Sequence, residues 1–293
     1  MTIWEAFKAG FGFLSVIPVG ITMEGIDALM KRLYMYPVIG FCLGILIGIV
    51  TFAAEIVLPA PLTIIAIMLA TYGLIWFNHL DGVSDLGDGM TAHGSLEKKR
   101  KALKDMSLGI GGVAFAALLM LLFYSSLTAL ENMSGIAGAV PYAGLFSIAC
   151  ATISNAGLTP VWSGALTTAA LMSAAVIVAE TQGKQAMLTI ATFGKSFSEG
   201  LGSMTIAGGT KKNFAIGILF TAAVSIALLG LLGLAALAAS TLAALIILKI
   251  SNRHFEGLNG DGIGTANEVG RIISIAAVAV ILYLVYGGMF WTL

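Results

Sequence analysis

Residues 62–89 read LTIIAIMLATYGLIWFNHLDGVSDLGDG and join a strongly apolar run to an acidic motif. The apolar half, residues 62–77, contains no charged side chain and predicts a membrane-spanning helix. The acidic half carries Asp81, Asp85 and Asp88, which are four and three residues apart. On a helix these offsets put the three carboxylates on one face, each within about 5–6 Å of its neighbour. The stretch therefore predicts a span that delivers a carboxylate cluster to one end of the membrane region.

The spacing of the three carboxylates indicates a cation site. Like charges held this close repel each other, so a sequence that clusters them usually places a cation between them. Carboxylate oxygens are hard ligands, which favours Mg²⁺, Mn²⁺ or Ca²⁺ over zinc. A solvated acidic helix end would give the same pattern, and the motif alone does not decide between the two interpretations.

The composition of the chain indicates an all-α, polytopic integral membrane protein. Of its 293 residues, 58% are hydrophobic and only 10% are charged, whereas a soluble domain has about 25% charged residues. Because long polar stretches are absent, residues 1–293 are predicted to form a single membrane-embedded domain. Cys42 and Cys150 lie in apolar runs and are expected to be buried thiols without a disulfide or metal role.

Apolar runs predict a helical bundle of about seven transmembrane helices, preceded by an N-terminal amphipathic helix. In residues 1–19, apolar side chains recur at three- and four-residue steps, which is typical of an amphipathic helix. The run 214–250 is long enough for two helices of about 18–20 residues each. Prolines and glycines interrupt residues 136–180, which predict two spans or one span with a re-entrant piece. The other spans are predicted at 37–58, 62–77, 108–130 and towards the C-terminus.

The basic residues predict the orientation. Every Lys and Arg lies outside the confident spans, and positive residues mark the cytoplasmic side. The polar loops 20–36, 81–107, 193–213 and 251–271 are therefore predicted to share the cytoplasmic face of the cell membrane. This requires an even number of crossings between successive loops, which favours one re-entrant or half-membrane element within 136–180 over two full spans. The acidic motif then faces the cytoplasm.

A second glycine-rich segment, residues 257–268, is predicted on the same face. Its glycines permit tight turns and close approach of the backbone to a ligand, while Asp261, Asn267 and Glu268 supply oxygens. A flexible surface turn would also explain the glycines. Glu268, however, abuts the last apolar span, where a lone carboxylate costs free energy unless it is paired or functional.

Three other polar side chains lie beside predicted spans. Glu180 and Lys184 are four residues apart at the edge of an apolar segment, a spacing that fits a structural ion pair. His79 precedes Asp81 by two residues. It could be a metal ligand, a proton shuttle or a hydrogen-bonded helix residue, and the spacing does not choose among these roles.

Carboxylates, glycine-rich segments and basic residues on one membrane face favour a metal-dependent phosphotransferase with a lipid-borne or amphiphilic substrate. Cationic side chains would hold phosphate oxygens while a divalent ion neutralises charge on the transferred group. The positive-inside pattern explains the basic residues without any substrate. An ion-coupled transporter is the competing class, but transporter sites lie near the bilayer midplane in repeated halves, whereas these carboxylates are predicted at span ends and no internal repeat is visible.

The acidic motif also resembles the HLDGLADxxDG signature of the cobalamin 5′-phosphate synthase family, whose members are also called adenosylcobinamide-GDP ribazoletransferases. The likeness extends along nearly the whole chain, in six motifs that follow the family's order. These motifs are Phe13-Leu14 to Pro18-Val19, Tyr36 to Gly40, His79 to Gly89, Lys104-Asp105 with Leu108-Gly109, Glu199 to Gly202, and Asn259 to Gly262 with Asn267-Glu268.

The resemblance implies a reaction and a set of residues. The ribose hydroxyl of α-ribazole, or of its 5′-phosphate, would attack the corrinoid-proximal phosphate of adenosylcobinamide-GDP, and GMP would leave, with Mg²⁺ required. Asp81, Asp85 and Asp88 would hold Mg²⁺ on the pyrophosphate, and one of them or His79 would accept the hydroxyl proton. The implied substrate-binding residues are Asn78, Lys104, Asp105, Lys184, Glu199, Asn259, Asp261, Asn267 and Glu268.

The chain departs from the family pattern at one charged position. Where the family has D-S-R-x-G, residues 105–109 read DMSLG, so the expected Arg is absent. Lys184 is the candidate replacement, as a point charge rather than a bidentate fork. The spaced aspartates are also similar to those of CDP-alcohol phosphotransferases, although the A-R half of that pattern is missing. The expected partners are the substrates and the lipid bilayer; no nucleic acid is expected, and a homo-oligomer is left open.

Overall fold

The computed structural model describes residues 2–105, 107–134 and 144–286, and these residues fold almost entirely as helices. The all-α prediction is confirmed. The twelve helices of the described ranges are α1 Ile3–Leu14, α2 Met23–Met30, α3 Met35–Val57, α4 Ala60–Ile75, α5 Asn78–Thr91, α6 Leu96–Ala102, α7 Ile110–Asn132, α8 Gly144–Asn155, α9 Pro160–Phe193, α10 Leu201–Gly208, α11 Lys211–Phe255 and α12 Gly260–Tyr286.

Five of the described helices are long and apolar enough to cross a membrane, namely α3, α7, α9, α11 and α12. A sixth candidate is the pair α4 and α5, which is bent by 93° where the apolar run ends. The polytopic prediction is therefore confirmed. At the N-terminus, α1 begins with a capping box between Thr2 and Glu5 and exposes Trp4 while burying Leu14, as an amphipathic helix does.

Helix α11 contains the two spans that were predicted for residues 214–250. Gly230 has a left-handed φ of 56° with a ψ of −134°, which no residue inside a regular helix adopts. Beyond it the chain returns, because the Gln182 amide nitrogen lies 2.9 Å from both the Ser225 hydroxyl and the Gly233 carbonyl. In a straight helix Ser225 and Gly233 would be two turns apart. The first half passes from Gln185 at Gly217 to Gln182 at Ser225. The second passes from Gln182 at Gly233 to Gly194 at Leu248, so the two halves of α11 are antiparallel.

Two predictions for the polar segments were wrong. The loop predicted at 251–271 shrinks to residues 256–259, because α12 already begins at Gly260. Two of its glycines serve helix packing: a Cβ on Gly270 would lie 2.6 Å from that of Ala186, and one on Gly264 would lie 3.2 Å from the Cα of His79. Gly257, with a φ of 155°, remains in the short loop. The second wrong prediction is that 81–107 and 193–213 are loops throughout, because they contain the helices α6 and α10.

The ambiguous stretch 136–180 is described in part, since residues 135–143 lie outside the described ranges. Helix α8 is a short apolar element, whereas α9 is a full span that runs on to Phe193. Glu180 and Lys184 therefore lie inside a span and not at its edge. Arg271 likewise lies inside α12, so the prediction that every Lys and Arg is outside the spans was wrong at Lys184 and Arg271.

The most extensive helix pair, α3 with α9, is built on glycine. Gly40, Gly44 and Gly48 recur at four-residue intervals and face α9. A Cβ on Gly44 would lie 2.9 Å from the Cα of Ile177, which leaves no room for a side chain. Small residues at this spacing let membrane helices approach closely, and van der Waals packing then holds them together.

Gly44→Leu is expected to destabilise the protein, because the new side chain would overlap the backbone of α9. Overpacking typically costs about 1–3 kcal/mol, and a leucine at this position lies at the upper end. The thermal midpoint of the purified protein in detergent measures the effect. Gly73→Leu is the matched control, since a Cβ on Gly73 meets nothing within 4 Å. Equal midpoints for the two variants would contradict the glycine packing.

Candidate active site

The acidic motif folds as α5, as its spacing predicted. Helix α4 ends at Trp76, whose φ is 65°, and the chain then bends by 93° into the new helix. The residue types explain the change: the apolar run stops at Phe77, and the polar sequence that follows cannot continue through the membrane. Asp81, Asp85 and Asp88 consequently share one face of a helix that starts at the end of a span.

Asp81 and Asp85 open into a polar cavity of about 370 Å³. A third carboxylate, Asp261, reaches the same cavity from the first turn of α12. The connection between α6 and α7 contributes Lys104 and Asp105 on another side. The cavity thus combines carboxylates from three parts of the sequence with one ammonium group.

A glycine brings the two acidic helices together. A Cβ on Gly82 would lie 2.8 Å from the carbonyl oxygen of Asp261, so any larger residue would push α5 away from α12. The Thr265 hydroxyl crosses the same junction and donates to the Gly82 carbonyl at 3.0 Å. Asn259 supports Asp261 from the loop: its amide nitrogen donates to the carboxylate, and its oxygen accepts from the Gly262 amide at 3.2 Å.

Asp88 has protein partners of its own. Its two oxygens accept hydrogen bonds from the Gly109 amide at 2.8 Å and the Gly112 amide at 2.7 Å, at the N-terminus of α7. The first amides of a helix lack intrahelical acceptors and favour a negative charge, so this contact stabilises the α5–α7 junction. Metal binding by Asp88 stays a prediction; the contacts seen make it a link between helices at the far end of α5.

Helix α6 is fixed so that Lys104 reaches the cavity. Arg100 donates to the Phe255 carbonyl at the end of α11, from Nε at 3.0 Å and Nη2 at 2.7 Å. Its guanidinium also lies 4.6 Å from the centre of the Phe197 ring. Sequence reasoning assigned Arg100 only to the basic loop, because nothing local indicates a partner so distant along the chain.

Asp105 adds a negative charge beside Lys104. Its side chain is exposed and accepts a hydrogen bond from the backbone amide of Ser107 at 3.0 Å. This hydrogen bond lowers the pKa of Asp105 below its usual range, because it stabilises the ionised form. The carboxylate is therefore ionised at neutral pH.

The donor set of the cavity fits Mg²⁺ that arrives with a phosphate. In the described part of the chain, no three His, Cys, Asp or Glu side chains converge to form a complete metal site. Mg²⁺ does not need such a cage, because it keeps several waters and is usually held by one or two carboxylates plus phosphate oxygens. Asp81, Asp85 and Asp261 offer such carboxylates around one space.

Two of the residues implied by the family resemblance, Asn78 and Glu199, are exposed outside the cavity lining. Asn78 is the exposed first residue of α5. Glu199 is exposed in the loop before α10. That loop nevertheless runs beside the start of α12, because Phe197 donates its amide to the Leu258 carbonyl at 3.1 Å.

Three other implied residues, Lys184, Asn267 and Glu268, are fully buried between α9 and α12. The group that organises them is Arg271, which sequence reasoning missed. Its guanidinium bonds Glu180 at 3.0 Å and also bonds Glu268. The Tyr72 hydroxyl donates to Glu268 at 2.8 Å. The three-residue spacing of Glu268 and Arg271 was the available signal, but Arg271 was interpreted as a loop cation.

Comparison with known proteins shows which family this chain resembles. The model of a family described as cobalamin-5-phosphate synthase matches residues 6–164 and 154–279. Similar proteins named adenosylcobinamide-GDP ribazoletransferase include that of Methanosarcina mazei, at 48% identity over 98% of both chains, and that of Methanosarcina barkeri, at 47% over 98% of both. The protein of that name from Methanococcoides burtonii is 42% identical over 98% of this chain and 97% of its own. No solved structure matches the chain.

Proposed function

The chain belongs to the cobalamin-5-phosphate synthase family, and we propose that it is a transferase that joins adenosylcobinamide-GDP to α-ribazole or to its 5′-phosphate. The observation that carries this proposal is the cavity in which Asp81, Asp85 and Asp261 meet Lys104. A GDP-activated substrate brings a pyrophosphate, whose oxygens need cations around them. One lysine and a set of carboxylates able to hold a divalent ion meet that need.

In the proposed reaction, the ribose hydroxyl oxygen of ribazole forms a bond to the corrinoid-side phosphorus. The bond from that phosphorus to the bridging oxygen breaks, and GMP leaves with the bridging oxygen and its electron pair. A cavity carboxylate that is not bound to the cation accepts the hydroxyl proton. Such reactions depend mainly on positioning and charge stabilisation, which a rigid set of charged side chains supplies.

The roles of the side chains follow from their places around the cavity. One or two of the carboxylates of Asp81, Asp85 and Asp261 would hold Mg²⁺ together with phosphate oxygens of the substrate. When bound, the ion supplies positive charge against the pyrophosphate oxygens. Lys104, from the connection between α6 and α7, would contact the phosphate oxygens as a point charge. Asn259 would keep Asp261 in its orientation through the amide hydrogen bond.

We also propose that the cavity faces the cytoplasm and that the protein is a multi-pass protein of the cell membrane. Support comes from helix α6, which carries Lys98, Lys99 and Lys101 and leads directly to Lys104 in the cavity lining. Positive residues next to spans favour the cytoplasmic side. A GDP-activated substrate would then be taken directly from the compartment where nucleotides are made.

Removal of divalent cations is expected to abolish GMP release from adenosylcobinamide-GDP and α-ribazole. Purified protein in proteoliposomes is treated with EDTA, and GMP is measured by chromatography before and after Mg²⁺ is restored. Parallel reactions with α-ribazole 5′-phosphate compare the two acceptors. GMP release that survives thorough chelation would contradict the cation requirement.

The alternative functions give different products in the same preparation. A cytidine-activated lipid with an alcohol acceptor yields CMP if the protein resembles a CDP-alcohol phosphotransferase in activity. Uptake of adenosylcobinamide-GDP into the vesicles without GMP release would indicate a transporter. Either result, with no GMP from either form of ribazole, would overturn the proposed function.

A further inference from the structure

His79 faces the interior of the bundle, although it lies only two residues before Asp81. Its ring packs on α12 at Gly264, where a Cβ would lie 3.4 Å from the ring carbon Cδ2. Its Nδ1 lies 2.9 Å from the side-chain nitrogen of Asn267. His79 does not belong to the residues that line the 370 Å³ cavity. The side chain therefore connects the first turn of α5 to α12.

Lys184 determines the direction of the hydrogen bond between His79 and Asn267. A lysine ammonium only donates, and it lies 2.8 Å from Asn267 Oδ1, so the amide oxygen must point at Lys184. The amide nitrogen then points the other way, towards His79 and towards Glu268 Oε1 at 3.2 Å. Both of these contacts require acceptors, and the carboxylate is one. Nδ1 of His79 is accordingly an acceptor as well.

The cluster behind Asn267 is closed to solvent and balanced in charge. Glu180 and Glu268 carry two negative charges, and Lys184 and Arg271 carry two positive ones, with each residue at most 1% exposed. Hydrogen bonds connect all four to one another, directly or through Asn267. Arg271 Nε has no hydrogen-bond partner in the described part of the chain, but each charged group is paired with an opposite charge. An alternative arrangement would leave a buried charge without its counter-charge, which favours the present one.

Close helix packing keeps the cluster in one arrangement. A Cβ on Gly183 would lie 2.9 Å from the backbone carbonyl of Asn267, so α9 and α12 are in direct contact. On the other side of Lys184, a Cβ on Gly40 of α3 would lie 2.7 Å from its Cγ. Lys184 is fully buried and does not line the cavity; its ammonium group contacts Glu180 and orients Asn267.

We propose that His79 and Asn267 are positioning residues that tie the first turn of α5 to the buried cluster and so set how Asp81 and Asp85 face Asp261. At its other end, α5 is held through Asp88 and the amides of α7. The acidic helix is thus fixed at both ends while its polar face stays open to the cavity. The inference rests on the proposed function, because that function requires the aligned carboxylates to bind a divalent cation.

Two isosteric substitutions of His79 test the proposal. Asparagine places its side-chain oxygen near the position of His Nδ1, whereas glutamine reaches the position of Nε2. We expect His79→Asn to keep kcat/KM for GMP release within about threefold of wild type, and His79→Gln and His79→Ala to lose about 10- to 100-fold, as is usual when a supporting hydrogen bond is removed. If His79 instead exchanged a proton with the substrate, His79→Asn would be as inactive as His79→Ala, and the proposal would be overturned.

A double-mutant cycle separates this role from general destabilisation. Asn267→Ala and His79→Ala remove the same hydrogen bond. The kcat/KM of the double variant is therefore expected to be no lower than that of the less active single variant. Losses that multiply would show that the two residues act independently. Asn252→Ala, at an exposed asparagine near the end of α11, is the matched control and should leave kcat/KM unchanged.

Binding of Mn²⁺, followed by electron paramagnetic resonance without substrate, makes the test independent of turnover. Weaker Mn²⁺ binding in His79→Gln and Asn267→Ala, with wild-type binding in His79→Asn, supports the positioning role even if no GMP is formed. In that case only the proposed function fails. Equal Mn²⁺ binding in all variants, each with a wild-type thermal midpoint, would overturn the positioning role.

Discussion

Asp81→Asn is expected to lower the rate of GMP release by about 10²–10³-fold, the usual loss when one preorganised charged or polar group is removed from a site that stabilises developing charge. Asparagine keeps the size of the side chain, so packing on α5 is preserved and only the negative charge is lost. Asp81 lines the cavity beside Asp85 and Asp261. Single-turnover release of GMP at saturating Mg²⁺ measures the effect on the chemical step.

The control for Asp81→Asn is a carboxylate with the same charge and no access to the cavity. Asp27 is exposed on α2, and Asp27→Asn should leave the rate unchanged. Asp85→Asn should behave like Asp81→Asn, because both face the same space. Full activity in both cavity variants would show that the reaction takes place elsewhere on the protein.

The spans and the acidic helix were predictable because their signals are local. An apolar run marks a span wherever it occurs, and the predicted limits 37–58 agree closely with α3, Met35–Val57. The offsets of Asp81, Asp85 and Asp88 likewise need only the period of a helix to be interpreted. Where periodicity or composition within one segment decides the outcome, the sequence is sufficient.

The start of α12 could not be predicted in this way. Its glycines favour a loop on local grounds, since glycine is a poor helix former. Two of its glycines nonetheless lie against another helix, Gly264 against His79 of α5 and Gly270 against Ala186 of α9. Helix-to-helix contact makes a side chain impossible there, and no periodicity within residues 257–268 reports which helix comes near. The membrane also favours helix, because an open loop would leave backbone groups unsatisfied.

The grouping of the functional residues depended on the same non-local contacts. Asp261 joins Asp81 and Asp85 only because α12 packs on α5 at Gly82. Glu180 and Arg271 come from different spans and meet in the core. Family resemblance assigned Lys184 and Glu268 to the substrate, but in sequence alone a buried charge and a substrate-binding charge look alike. Burial is what distinguishes them, and it is a property of the fold.

The charged residues form two sets with different properties, the carboxylates that line the cavity and the buried cluster between α9 and α12. The cavity carboxylates are partly exposed and repel one another, so they prefer a position in which each could relax away from its neighbours. The buried cluster is neutral overall, and moving its charges apart would break favourable ion pairs. A link from α5 to the cluster through His79 would therefore hold the carboxylates close together against their mutual repulsion until a cation binds.

Arg271→Met is expected to lower the free energy of unfolding by about 3–5 kcal/mol, the typical cost of removing one partner from a buried ion pair. Arg271 is 1% exposed and bonds both Glu180 and Glu268. Its guanidinium also lies 5.2 Å from the centre of the Tyr72 ring and 5.3 Å from that of Phe123. Methionine fills much of the volume, so the loss comes from two carboxylates left with too little positive charge. Thermal unfolding in detergent measures it.

The control and a partial rescue make the cause of that loss identifiable. Arg253→Met removes an arginine that is exposed at the end of α11, and its midpoint should equal that of wild type. Adding Glu268→Gln to Arg271→Met should recover part of the stability, because the amide removes one unpaired negative charge while keeping the shape. If the double variant were less stable than Arg271→Met alone, charge balance would not be what holds the cluster. An unchanged midpoint in Arg271→Met would show that the carboxylates find water or protons at no cost, which is incompatible with a closed core between α9 and α12.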